Sequence, residues 1–127
     1  MENLADSLPI YIRIVKGVKD AIVEKKIKEE EQLASTTYLS KEYKINIATV
    51  NKAINVLVDE GLVYKKRGIG MFIKKGAYNK LIQERRESFK ERYIIATLKE
   101  AKSLNYTTEE LQDLVKEAYE AINNEEK

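Results

Sequence analysis

The sequence predicts a mainly α fold with one small β-hairpin, followed by two further helices. Three observations predict it. Apolar residues recur at helical spacing through most of the chain. Between Gly61 and Gly76 that period gives way to two short apolar runs around Gly68-Ile69-Gly70. Of 127 residues, 35% are charged and only one is Pro, which suits well-solvated helix faces. The length matches one compact unit, or one small domain with an extension.

Pro9 precedes the first periodic stretch. Ile10, Ile14, Val18 and Ile22 recur every four residues, with Tyr11, Val15 and Ala21 on the same side. This predicts a helix over about 9–26, with Pro near the first turn, where its missing N–H costs nothing. Lys28–Gln32 reads as a loop whose Glu29, Glu30 and Glu31 are solvated. Ser35, Thr36 and Thr37 are candidate N-caps for a second helix over 36–43, with Leu39 and Tyr43 facing inward. Ile45 is expected as a buried plug.

Asn46 then caps a third helix reaching about Glu60. Val50, Ile54, Leu57 and Val58 form its inner stripe, with Ala53 at a close contact. Thr49, Asn51, Lys52 and Asn55 lie on its outer face, and Gly61 stops it. Leu62-Val63-Tyr64 and Met71-Phe72-Ile73 form the hairpin, with Lys65-Lys66-Arg67 at its tip. Phe72, Tyr43 and Tyr11 read as core residues rather than stacking platforms.

A long helix is expected from Tyr78 to about Ser103. Leu81, Ile82, Phe89, Tyr93, Ala96 and Ala101 share one side, widened by Ile94, Ile95 and Leu98. Asn105-Tyr106 breaks the pattern, and Thr107 with Glu110 makes a capping box. The last helix carries Leu111, Leu114, Val115, Ala118 and Ile122 on one stripe, and Asn123–Lys127 is expected to fray. The domain expectation is one unit over 1–76 and a helical unit over 77–127.

Composition excludes much chemistry. With no His and no Cys, the commonest general base, thiol nucleophiles and most zinc sites are missing. No phosphate-binding Gly-Lys motif, nucleophile–base pair or acidic metal cluster appears. No enzyme, cofactor or metal is therefore expected. The longest apolar run is too short to span a membrane. The opening Met1–Asp6 is acidic and lacks the order of a signal peptide. The lack of cysteine fits a reducing cytoplasm, the expected location.

The net charge of +2 conceals an asymmetry. Residues 1–76 carry 14 Lys+Arg and 10 Asp+Glu, whereas 77–127 carry nine and 11. Within 41–75 eight basic residues face three acidic ones. A basic middle beside an acidic tail suggests a polyanionic partner, or else a solvated lysine-rich surface.

The order helix, helix, capped helix, hairpin is that of a winged helix-turn-helix. The major groove accepts one helix, and short polar side chains near its N-terminus read base edges. Here Asn46, Thr49 and Asn51 can exchange hydrogen bonds with bases. Ala48 or Ile47 can touch a thymine methyl, and Lys52 can reach a phosphate. In the wing, Lys66 and Arg67 neutralise phosphates while Gly68 and Gly70 allow close approach to the backbone or the minor groove. Asn46 is needed as a cap whether or not it touches DNA. Thr49 can equally be a plain solvent-facing residue, and the glycines serve the turn in either case.

These residues resemble the GntR family of bacterial transcription regulators. The resemblance runs over about 8–75. It rests on Pro9-Ile10-Tyr11, Leu33-Ala34-Ser35 with Leu39, Asn46 through Ala53, Leu57 with Glu60-Gly61-Leu62-Val63, and Arg67-Gly68-Ile69-Gly70 with Phe72-Ile73. It implies DNA contacts at Ser35 and Thr37 as well. Thr37 and Asn51 stand where the family often has Arg, so affinity is expected to lean on Lys41, Lys52, Lys66 and Arg67. The short tail resembles that of the YtrA-type subfamily, which implies a homodimer on a palindromic double-stranded DNA operator.

The tail helices are too apolar on one side to stand alone in water. The expected dimer interface is Leu81, Phe89, Tyr93, Leu111, Leu114, Val115 and Ala118; the alternative is intramolecular packing in a monomer. A small-molecule effector site is conceivable around Tyr78, Tyr93, Tyr106 and Arg85 or Arg92. The leading function is a dimeric sequence-specific repressor. The alternative is a protein-interaction module that keeps the winged fold without DNA binding.

Overall fold

The computed structural model describes residues 8–126; the acidic opening Met1–Asp6 lies outside them. Helix α1 spans Ile10–Val23, with Pro9 as its cap residue. It stops short of residue 26 because Lys25 adopts φ 59° and the amides of Lys26 and Ile27 both turn back to the Ala21 carbonyl. Strand β1 (Gln32–Leu33), helix α2 (Thr36–Tyr43) and helix α3 (Ile47–Asp59) come next. Strands β2 (Val63–Lys66) and β3 (Gly70–Ile73) form the hairpin, and α4 spans Ala77–Phe89.

The sheet is three-stranded and antiparallel in the order β1-β3-β2. β1 falls where the sequence suggested only loop. Two residues carry no readable alternation, so their pairing is set by the partner strand: Gln32 lies opposite Phe72 and Leu33 opposite Met71.

The chain forms two compact units, one ending at Glu84 and the other beginning at Arg85. In the first, α1 supplies Ile14, Val15 and Ile22 to the core. α3 supplies Val50, Ala53, Ile54 and Leu57, as its stripe predicts. Leu62, Val63, Met71 and Ile73 close the core from the hairpin side. Ala77 and Leu81 of α4 are also part of it, each only 1% exposed. Leu81 therefore cannot belong to a surface that meets another chain.

Tyr43 also departs from expectation, being 60% exposed. α2 is only two turns long and buries no residue fully. Its inward contact is made by the half-buried Leu39, and Ile45 joins it on the core. Tyr43, at the last helical position, is left on the rim of an apolar groove between α1 and α2.

In the second unit the expected long helix is interrupted. Lys90–Ile94 is a π-helical segment leading into α5 (Ile95–Ser103). The wider turn shifts the phase of α5 by about one residue, or about 100°, relative to Phe89 and Tyr93. Helix α6 spans Thr108–Glu125. Its capping box is complete: the Glu110 amide donates to Thr107 Oγ1 at 3.1 Å, and the Thr107 amide to Glu110 Oε1 at 3.0 Å. The Thr107 amide donating to it, with the Thr107 hydroxyl alongside, holds the Glu110 carboxyl below the ordinary glutamate pKa. The helix continues through Asn123, Asn124 and Glu125, which the sequence suggested would fray.

Candidate nucleic-acid interface

The start of α2 is fixed by Ser35, whose Oγ accepts from the Tyr38 amide at 3.1 Å. The start of α3 is fixed by Asn46, whose Oδ1 accepts from the Ala48 amide at 2.8 Å. Both caps use only an acceptor atom. The Ser35 hydroxyl hydrogen and the Asn46 side-chain NH₂ thus keep donor capacity toward an external acceptor. Asn46, Ala48 and Asn51 are exposed, while Thr49 is half-buried.

An exposed cleft joins α2, α3 and the hairpin, with Gln32 and Leu33 of β1 also lining it. Ser35 and Thr36 enter it from α2, Asn51 from α3, and Lys65 through Gly70 from the hairpin. Among the described residues, no acidic side chain lines it. Helix and hairpin are joined across it, since Lys65 Nζ donates to Asn55 Oδ1 at 3.3 Å. Of the sequence-predicted residues, Ser35, Asn51, Lys66, Arg67, Gly68 and Gly70 meet here. Thr37, Lys41, Asn46, Ala48, Thr49 and Lys52 lie outside this cleft. Thr37 and Lys41 are exposed on α2. Lys52, expected at a phosphate, instead sets its ammonium over the Tyr11 ring, 4.1 Å from the centroid.

The hairpin is braced from both sides. Tyr64 and Phe72, opposite one another across β2 and β3, stack with centroids 5.7 Å apart. Lys66 Nζ sits 5.2 Å from the Phe72 ring centroid. Gln32, which sequence reasoning missed, reaches the tip, and its Nε2 donates to the Ile69 carbonyl at 3.1 Å. Gly70 beside it is required by its own backbone, at φ 145° in a conformation that L side chains rarely adopt, and the movable end of Gln32 only adds crowding.

The acidic trio is not simply solvated. Glu31 accepts from the Lys28 amide at 2.7 Å, and Glu29 from the Tyr78 amide at 3.2 Å. Glu30 accepts from the Tyr64 hydroxyl at 2.5 Å. That bond to a carboxylate, with its negative charge nearby, raises the Tyr64 pKa. The loop is thus tied to itself, to α4 and to the hairpin. Its acidity was legible in the sequence, but its long-range partners were not.

A short helix pair with a capped outer helix, flanked by a basic hairpin, defines a winged helix-turn-helix. The family model for bacterial regulatory proteins of the gntR family matches residues 10–73. The chain belongs to that family. It is 30% identical over 81 residues to the transcriptional repressor NagR of Bacillus subtilis, covering 64% of this chain and 33% of that protein. It is 39% identical over 62 residues to the arabinose metabolism transcriptional repressor of Halalkalibacterium halodurans, covering 49% of this chain and 16% of that one. It therefore spans a third or less of the length of these curated relatives. A solved GntR family transcriptional regulator from Listeria monocytogenes superposes with a TM-score of 0.70 at 25% identity, covering 88% of this chain and 96% of that one. The DNA-binding domain of AraR, solved in complex with operator ORE1, gives a TM-score of 0.51 at 29% identity over 52% of this chain and 80% of that one.

Proposed function

We propose that this chain is a dimeric, sequence-specific DNA-binding repressor of transcription, with a short helical tail of the YtrA-like kind. The observation that carries the DNA reading is the cleft free of acidic residues, which joins the N-terminal turn of α2, Asn51 of α3 and the Lys65-Lys66-Arg67 run. In this reading the N-terminal half of α3 enters the major groove. Asn46, Ala48, Thr49 and Asn51 face base edges there. Ser35, Thr37, Lys41 and Lys52 meet the backbone, the last after leaving Tyr11. The wing, with Lys66, Arg67, Gly68 and Gly70, runs along the backbone toward the minor groove. The operator-bound AraR domain and the repressor names of the relatives support this reading.

The exposed apolar residues of the second unit support dimerisation. Phe89, Tyr93, Leu114 and Val115 are about half exposed or more, and no residue of α6 is buried. With Leu111 and Ala118 they form a surface suited to a second copy related by a two-fold axis, which pairs two recognition helices with a palindrome. A small-molecule effector would act by preferring one arrangement of the paired units over another. No enzymatic activity is proposed.

Selection of bound duplexes from random DNA with the full chain tests the reading. Enrichment of a palindrome with half-sites about one helical turn apart is expected. No enrichment at low salt would favour the protein-interaction alternative.

A further inference from the structure

The hairpin tip has a feature that phosphate binding does not use. Ile69 is 62% exposed, between two glycines and directly after the basic run. Its backbone is already engaged: the amide donates to the Lys66 carbonyl at 3.0 Å, and the carbonyl accepts from Gln32 Nε2 at 3.1 Å. The tip therefore presents a branched aliphatic side chain outward. Gly68 has φ 78° and no atom within reach of a Cβ, so the tip is slim on that side.

We propose that Ile69 is a specificity-determining residue that enters the minor groove and favours A·T over G·C at the step it touches. The inference rests on the DNA-binding reading above. Its physical basis is the exocyclic amino group of guanine, the one donor that distinguishes G·C from A·T in that groove. An aliphatic side chain pressed against that amine desolvates it without offering an acceptor, which is unfavourable. Against the floor of an A·T pair the same side chain covers surface with no stranded donor, as apolar minor-groove wedges do. Lys66 and Arg67 hold the flanking phosphates and supply affinity without sequence preference.

The test uses the full chain and a duplex chosen by the selection above. Each A·T pair near the half-site is replaced by G·C and then by inosine·C. Inosine lacks the amino group, so its minor-groove face resembles A·T while its major-groove face resembles G·C. One step per half-site is expected to lose about tenfold in affinity with G·C and to recover with inosine·C. Ile69→Ala should reduce that discrimination to about threefold or less, and Ile69→Val should keep most of it. Arg67→Ala should weaken all duplexes alike and leave the discrimination intact. The proposal is overturned if inosine·C is bound no better than G·C at every step, or if Ile69→Ala discriminates as the parent does. Tighter binding of G·C at the tip would overturn it too, pointing instead to Gln32 Oε1 as an acceptor. If the parent chain binds no duplex at all, the DNA reading itself fails and takes this inference with it.

Discussion

In the unit that ends at Glu84, Val50, Ala53, Leu57 and Ile73 have no accessible surface, and the residues around them are nearly as dry. In the unit that begins at Arg85, Ala101 alone is buried among the described residues, while Phe89, Tyr93, Val115 and Tyr119 are each more than half exposed. The two regions use similar residue types at similar helical spacing. They differ in how many directions the chain approaches from. α1, α3, the hairpin and the first turns of α4 enclose one core, whereas a pair of helices has no third surface to shut against. An apolar stripe thus marks a face to be covered, and the coverer need not lie in the same chain.

That contrast can be broken first at the enclosed core. Leu57→Ala removes a fully buried side chain and should cost about 2–5 kcal/mol of stability, read as a large fall in thermal midpoint. Leu114→Glu places a charge on the exposed stripe of α6. It should shift sedimentation from dimer toward monomer with little change in the fold of the winged unit. An unchanged dimer would remove this stripe from the interface.

Smaller effects are expected within each region. Arg67→Ala should weaken binding on all sequences and lower the slope of log affinity against log salt by about 0.9. An unaltered slope would remove Arg67 from the phosphate contacts. Thr107→Ala should cost about 1 kcal/mol by deleting the α6 cap. The partner carboxyl gives a pH signature. Glu110 is more acidic folded than unfolded, so its contribution is complete above the ordinary glutamate pKa. It disappears as pH falls through the lowered folded value, and helicity monitored on acid titration should show Glu110→Gln lacking this component.

Most of the winged unit was legible because its signals are local. Asn46 and Ser35 announce helix starts by their own chemistry, as Thr107 does in the second unit, and the bonds they make are those their positions require. The hidden features depend on distant partners. β1 exists because β3 lies beside it. Gln32 matters because Ile69 and Gly70 fold under it, some 37 residues on. Glu29 and Glu30 looked like surface charge, yet they receive Tyr78 and Tyr64. Leu81 matched the tail's pattern but is claimed by the preceding core, and the π segment Lys90–Ile94 interrupts a periodicity that read as unbroken. In the site, the basic run and its glycines could be read directly. The brace that shapes them could not.

In the proposed reading the starts of α2 and α3 and the hairpin tip face DNA together. Amide hydrogen exchange on the full chain, with and without the selected duplex, tests it most directly. Slowed exchange at the starts of α2 and α3 and across the hairpin tip, with the outer turns of α6 unchanged by the duplex, is the result this account requires. Slowed exchange confined to the tail, or none anywhere under conditions where the duplex is bound, would contradict it.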